Sequence, residues 1–225
     1  MIDLHGKRIL VTQANEFMGP ALQDFLRKCG AEVIANNDLL ITPESAKKAV
    51  QDAGPIDALI INLAIKDPAS FLPDITEEEW KSVFDVMVHP LPRLVNAALP
   101  QMKQNGGGKI VVMGSASALR GMKRTASYSA ARGAQLAFVQ AAGVELAKDN
   151  IHLNAVAQIF VENPTYFPIE VQQNPKFQER IKREVPLGRL VTAEEDVSFV
   201  AHLCSDMANC FVGQVFPMSG GWAIR

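Results

Sequence analysis

Lys7-Arg8-Ile9-Leu10-Val11-Thr12-Gln13-Ala14-Asn15-Glu16-Phe17-Met18-Gly19 opens on a short β-branched apolar run and passes through a turn, after which Pro20 to Lys28 takes up a helical period. A strand, a turn and a helix are expected there. Outward from this stretch the alternation repeats: Glu32 to Ala35 then Pro43 to Ala53, and Ile56 to Leu63 then Thr76 to Gln104. It goes on with Lys109 to Met113 and a helix from about Ser127 to Lys148, then Ile151 to Ala157, two further helical segments and a last strand at Gly213 to Phe216. Strands that alternate with long helical segments build a parallel sheet, because each return to the same edge needs a crossover helix. The expected fold is α/β, a single doubly wound sheet with helices on both faces, over residues 1–225 as one domain. Thr76 with Glu79 and Thr192 with Glu195 have capping-box spacing, while Thr42-Pro43 and Asn174-Pro175 place a cap before an N1 proline.

Composition limits the function classes. Apolar residues make up 48% and charged residues 20% of 225, values of an ordinary globular chain. Lys and Arg number 22 against 24 Asp and Glu, for a net charge of −2, and no stretch concentrates basic residues. Neither a nucleic-acid footprint nor an anionic-membrane patch is expected, and small-molecule partners fit better. The longest apolar run, Ile56 to Ile65, is far short of a bilayer span, which requires about 20 residues. Three scattered cysteines, Cys29, Cys204 and Cys210, read as small buried hydrophobes in a reducing cytoplasm. The four histidines show no pair at helical ligand spacing, so no metal site is expected.

A dinucleotide-binding turn needs glycines after its first strand, so that the backbone can approach a pyrophosphate at the helix N-terminus. Of the three positions in the form Thr-Gly-x-x-x-Gly-x-Gly, only Gly19 is retained, with Gln13 and Phe17 at the other two. A Cβ and a ring stand where phosphate and ribose would need space. Asp38 is a weak candidate for a ribose-binding acid and reads as a turn residue, and the chain before Ile56 is too short for a further helix and strand beside an adenosine. A degenerate dinucleotide site and no cofactor are expected. Tyr128 and Arg132 are four apart on one helix and so share a face, while Ser115 stands thirteen residues before Tyr128, just past a strand end. Carboxyl ends of parallel strands face the ligand crevice, so Ser115 can meet that helix face.

Ser115 with Tyr128-x-x-x-Arg132 resembles the Ser and Tyr-x-x-x-Lys set of the Rossmann-like short-chain dehydrogenases/reductases, with arginine in the lysine's place. Met87 stands where that family usually carries Asn, and Asn62-Leu63-Ala64-Ile65 replaces its Asn-Asn-Ala-Gly. These departures resemble the halohydrin dehalogenases, which share that fold and hold a halide pocket in place of nicotinamide. Further pieces of this resemblance are Phe17, Val161-Glu162-Asn163-Pro164-Thr165-Tyr166-Phe167-Pro168, Val185-Pro186-Leu187-Gly188-Arg189-Leu190 and the end Gly213 to Trp222.

The resemblance implies that Tyr128, as phenolate, takes the hydroxyl proton of a vicinal haloalcohol while Ser115 holds the same oxygen, and that the alkoxide displaces the halide to give an epoxide. Reversal would let azide, cyanide or nitrite open an epoxide. One guanidinium about 4.5 Å from a phenolate at an effective dielectric near 20 stabilises it by roughly 4 kcal/mol, with burial opposing. The halide pocket is expected from Gln158, Ile159, Phe160 and Val161 with backbone N–H groups donating, walled by Phe17 and Phe167; Ser117 and Met122 border the substrate. A homotetramer is expected through the helices at Thr76 to Gln104 and Ser127 to Lys148. Two other readings stay open: an NAD(P)-dependent oxidoreductase with an atypical glycine loop, and a silent assembly subunit whose small residues Ala130, Ala131, Gly133, Ala134, Ala137, Ala141, Ala142 and Gly143 pack helices.

Overall fold

A computed structural model describes residues 2–224. Among them six parallel strands form one sheet: β1 (Arg8–Val11), β2 (Glu32–Ala35), β3 (Ala58–Ile61), β4 (Gly108–Ser115), β5 (Ile151–Gln158) and β6 (Val215–Met218), in the spatial order β2-β1-β3-β4-β5-β6. The helices are α1 (Gly19–Lys28), α2 (Pro43–Ala53), α3 (Glu77–Met87), α4 (Pro90–Gln104), α5 (Ala126–Leu146), α6 (Ile169–Gln172), α7 (Pro175–Glu184) and α8 (Ala193–Cys204). No described helix is long and apolar enough to cross a membrane. The expected α/β sheet with helices on both faces is therefore what the chain builds. Its strand order turns back at β1 and β3, so a crevice opens above their carboxyl ends.

Period-two alternation divides the strands between two cores. Leu10, Leu59, Ile61, Ile110, Val112 and Leu153 face α2, α4 and α5, whereas Ile9, Val11, Ile60, Val111, Met113 and Val156 face α1 and α8. Strands buried on both faces read as continuous apolar runs, as Ala58–Ile61 does.

Several expectations change. The single helix over Thr76 to Gln104 is two, α3 and α4, parted at Val88 and His89. Pro90 supplies no N–H and its ring would strike the carbonyl four residues back, so it starts a new helix at its first position instead of bending an old one. Between β5 and β6 there are three helices where two were expected, and the last strand begins at Val215 rather than Gly213. Gly213 instead sits at φ 63° where Gly143 of α5 crosses it: a Cβ on Gly143 would lie 2.5 Å from the Gly213 Cα. Part of the small-residue face of α5 is thus used inside the fold. Cys29 and Cys204 are buried as expected, but Cys210 is exposed.

The caps explain where the helices begin. Thr192 and Glu195 form a reciprocal box at α8, and Thr42 forms one with Ser45 at α2. At α3 only half the expected box forms: the Thr76 hydroxyl accepts from Glu79 N at 3.1 Å, while the Glu79 carboxylate is occupied elsewhere.

Candidate active site

The expected catalytic, halide-binding and substrate-bordering side chains line one cavity of about 250 Å³ at the carboxyl ends of the strands, whereas Gln13, Asp38 and Met87 lie outside its lining. Ser115 arrives as the last residue of β4, and Tyr128 and Arg132 come from the first two turns of α5. All three are buried, at 7%, 8% and 4% exposure. The Ser115 Oγ lies 3.0 Å from the Ser117 Oγ and accepts from Ser117 N at 3.2 Å, so Ser117 orients the serine as well as bordering the cavity.

Arg132 is held from below. Its Nη1 donates to Leu63 O (3.0 Å), Met113 O (2.8 Å) and Gln135 Oε1 (2.9 Å), which fixes the guanidinium to the ends of β3 and β4. Gln135 in turn donates to the carbonyl of Met87 at 2.6 Å. So anchored, the guanidinium carbon lies 5.0 Å from the centre of the Tyr128 ring. The start of α5 is clamped as well. Glu79 of α3 accepts from Ser127 Oγ and from Ser70 Oγ, each at 2.5 Å, which is why its carboxylate does not complete the Thr76 cap.

The loop after β1 does not fit a dinucleotide. Gln13 and Phe17 hold left-handed backbones, φ 43° and 50°, the conformation that a glycine turn would adopt without strain. The Gln13 amide is locked onto the chain after β3, donating to Ala64 O at 3.0 Å and accepting from Ala64 N at 2.7 Å. Asn62 ties the same loop down by donating to Gln13 O and Glu16 O. The Phe17 ring closes over the crevice, 9% exposed and 5.7 Å from the Tyr166 ring. Gly19 alone keeps its glycine role, since a Cβ there would meet the carbonyl oxygens of Gln13 and Ala14 at 2.4 Å. Beside the loop, β2 is the sheet edge, and α2 returns straight to β3 with no further strand. Asp38 is a loop residue that accepts from Asn36 Nδ2 at 2.9 Å.

The segment Gln158, Ile159, Phe160 and Val161 forms the opposite wall. Its supply of backbone donors is smaller than the sequence suggested: Ile159 N donates to Met218 O at 3.1 Å and is committed to the fold. No backbone carbonyl among the described residues accepts from Phe160 or Val161 N, and Phe160 sits at φ 53°. Met122 borders the cavity together with Ser117. Phe17 and Phe167 are not direct neighbours in the aromatic wall. Tyr166 stands between them, 5.7 Å from one ring and 6.4 Å from the other, and Phe160 follows Phe167 at 6.1 Å.

Tyr166 is the residue that the sequence did not mark. It sits beside Phe167 in the quoted segment, and nothing in its spacing sets it apart from a packing ring. Its hydroxyl donates to Ile65 O at 2.6 Å and accepts from Asp67 N at 3.2 Å. Burial, then the neighbouring Tyr128 phenol, pushes its proton loss well above the ordinary tyrosine value, so it stays neutral. Arg180 of α7 also reaches the cavity, 5.6 Å from the centre of the Phe160 ring, with its Nε 3.0 Å from Glu184.

The chain matches the enoyl-(acyl carrier protein) reductase family model over residues 2–223. It is 29% identical over 230 residues to the 3-oxoacyl-[acyl-carrier-protein] reductase FabG of Chlamydia muridarum, covering 97% of this chain and 88% of that one. It is 31% identical over 173 residues to a dehydrogenase/reductase SDR family member 4 of Bos taurus, and that match takes in 77% of this chain and only 61% of the relative's length. Among solved structures, a dehalogenation enzyme superposes with a TM-score of 0.90 at 31% identity, over 99% of this chain and all of that one (100%). An L-sorbose reductase of Gluconobacter frateurii in complex with NADPH and L-sorbose shares the fold, with a TM-score of 0.88 at 21% identity over 97% of both chains.

Proposed function

The chain belongs to the short-chain dehydrogenase/reductase family, and from that premise we propose that it is a halohydrin dehalogenase, a lyase that works without a nicotinamide. The observation that carries this reading is the loop after β1. Its backbone keeps the left-handed turns of a dinucleotide loop while Gln13 and Phe17 fill the space, and Ser115, Tyr128 and Arg132 still converge on the cavity beyond it.

The substrate hydroxyl sits between the Ser115 Oγ and the Tyr128 phenolate. Tyr128 accepts the proton, Ser115 donates to the oxygen, and the alkoxide electron pair attacks the neighbouring carbon from the side opposite the halide. The carbon–halogen bond breaks with its electron pair, which leaves an epoxide, a halide and a protonated Tyr128. Tyr128 is assigned as the base because Tyr166, beside it, is committed to Ile65 and held neutral. Arg132, fixed by three acceptors, keeps its cation against the Tyr128 ring, where the negative charge sits before the proton is taken up.

A buried halide needs N–H donors and polarisable apolar walls. The uncommitted N–H groups of Phe160 and Val161 and the rings of Phe17 and Phe167 meet that need, with Gln158 and Ile159 completing the wall. In reverse, azide, cyanide or nitrite in the same nest attacks an epoxide while Tyr128 returns its proton to the ring oxygen. The unit is a homotetramer built through α3, α4 and α5. Several exposed apolar groups, among them Trp80, Val144 and Ala137, lie along α3 and α5.

Halide release from small chloro- and bromo-alcohols, without nicotinamide, and azidoalcohol formation from a terminal epoxide test this reading; neither product above background overturns it. A reductase reading draws support from the curated relatives, which are reductases. Saturable NADPH binding would establish that alternative.

A further inference from the structure

We infer that Asp196 is a positioning residue of the anion nest: from behind Gln158 its carboxyl sets which end of the Gln158 amide the nest presents, and the nest loses anion affinity when that carboxyl ionises. The inference rests on the dehalogenase reading of the cavity and adds to it a carboxyl that the reaction does not use.

Asp196 lies in the first turns of α8 with no exposed surface. Its Oδ2 accepts from the Gln158 Nε2, and its Oδ1 has no partner among the described residues. Gln158, at the end of β5 and in register with Ser115, lines the cavity. One amide therefore has a buried acid behind it and the anion nest in front. Burying a carboxylate with a bare oxygen is costly, and burial pushes Asp196 up to about 7 against the single opposing Gln158 bond.

Among the described residues no cation offsets this charge. On α8 itself, Glu194 and Glu195 share its sign, Glu195 is paired with Arg189, and His202 stands two turns further on. On α1, which packs against α8, Asp24, Arg27 and Lys28 are exposed, and Asp206 in the following turn is exposed and paired with Lys7. Lys109 stands at the opposite end of β4, six residues or roughly 20 Å of strand from the level of Ser115 and Gln158.

Two states follow. The ionised carboxyl only accepts, so Gln158 keeps its Nε2 toward Asp196. The neutral carboxyl has an O–H of its own, which donates to the amide oxygen once the amide turns, and the Nε2–H groups are then free to donate to an anion. The charge adds to the effect, since two like charges roughly 10 Å apart at an effective dielectric near 20 weaken binding on the order of tenfold. Chemically, the acid form retains the anion for ring opening, and the ionised form speeds halide release.

The test is a sodium bromide titration followed by tryptophan emission, because Trp222 packs at 6.0 Å on the Phe160 ring. Tyr128→Phe is the background, so that the catalytic phenol contributes no titration. Bromide affinity should fall on the order of tenfold between pH 6 and 8.5 in that protein and stay flat, at the tighter value, when Asp196→Asn is added. Affinity that is flat in both proteins, or that falls equally in both, overturns the assignment of Asp196 and leaves the dehalogenase reading intact. No bromide binding at any pH removes the nest and both readings with it. Should Asp196→Asn not fold, carboxyl NMR of aspartate-labelled protein decides. One buried aspartate should titrate near neutrality, with a midpoint that rises by about one unit in saturating bromide, because linkage is reciprocal. A midpoint that bromide does not move overturns the proposal.

Discussion

Two phenols meet in the cavity, and the difference between them is where their oxygens are spent. Tyr166 gives its proton to Ile65 O and receives Asp67 N, so its hydroxyl holds the wall together. Tyr128→Phe should therefore abolish halide release with the melting temperature nearly unchanged. Tyr166→Phe should leave measurable turnover and lower stability by about 1–3 kcal/mol, because Asp67 N and Ile65 O lose their partner. Steady-state halide release and thermal unfolding of both variants check this, and reversed effects would exchange the two roles. Arg132→Lys keeps a cation but not a planar fork. An ammonium has to choose among Leu63 O, Met113 O and Gln135 Oε1, so the rate should drop about 10- to 100-fold with a shifted pH profile.

At the level of elements, the start of α5 matters more than its length. Thr125 makes no side-chain cap there, and the helix is instead pinned from α3 by the Glu79 bonds to Ser127 and Ser70. Glu79→Ala should therefore move Tyr128, one residue on, and lower kcat about tenfold at little change in KM. Thr192→Ala removes an ordinary cap at α8 and should cost about 1 kcal/mol of stability and no activity. Equal activity in the two variants would show that the clamp has no bearing on the site.

For the whole molecule, the buried acid of α8 ties stability to pH. An aspartate raised in the fold from 3.8 to about 7 keeps its proton in the native state after the unfolded chain has lost it, so its contribution is full below about pH 4 and fades as pH rises to about 7. Asp196→Asn should thus melt several degrees above the parent at pH 8, with the gap closing toward pH 5; a constant gap contradicts this. The surface of α5 bears on assembly. Gly133, with open space around it, and the exposed Ala137, Ala141 and Val144 offer a flat apolar strip suited to a second copy across a two-fold axis. Light scattering should give a tetramer at micromolar concentration and smaller species for Ala137→Arg, and a monomeric parent would exclude this surface as an interface.

The order of strands and helices was legible from Lys7 onward, because period and length are local properties and each crossover in a parallel sheet needs its own helix. The Ser115, Tyr128 and Arg132 set was legible for a similar reason: helical spacing and a strand end fix faces without knowledge of packing. The break at Pro90 was written in the sequence too, as a missing N–H and a ring clash, though Thr76 to Gln104 reads by its period alone as one helix. What only the tertiary structure decided is which polar atoms are already spent. Ile159 N goes to Met218, Glu79 leaves its cap for Ser127, Tyr166 is fixed by chain a hundred residues away, and Asp196 comes to lie behind Gln158 across 38 positions of sequence. Hydrogen-bond partners far apart in the chain have no period to betray them. A buried polar group must find some partner, and only the closed fold shows which one is in reach.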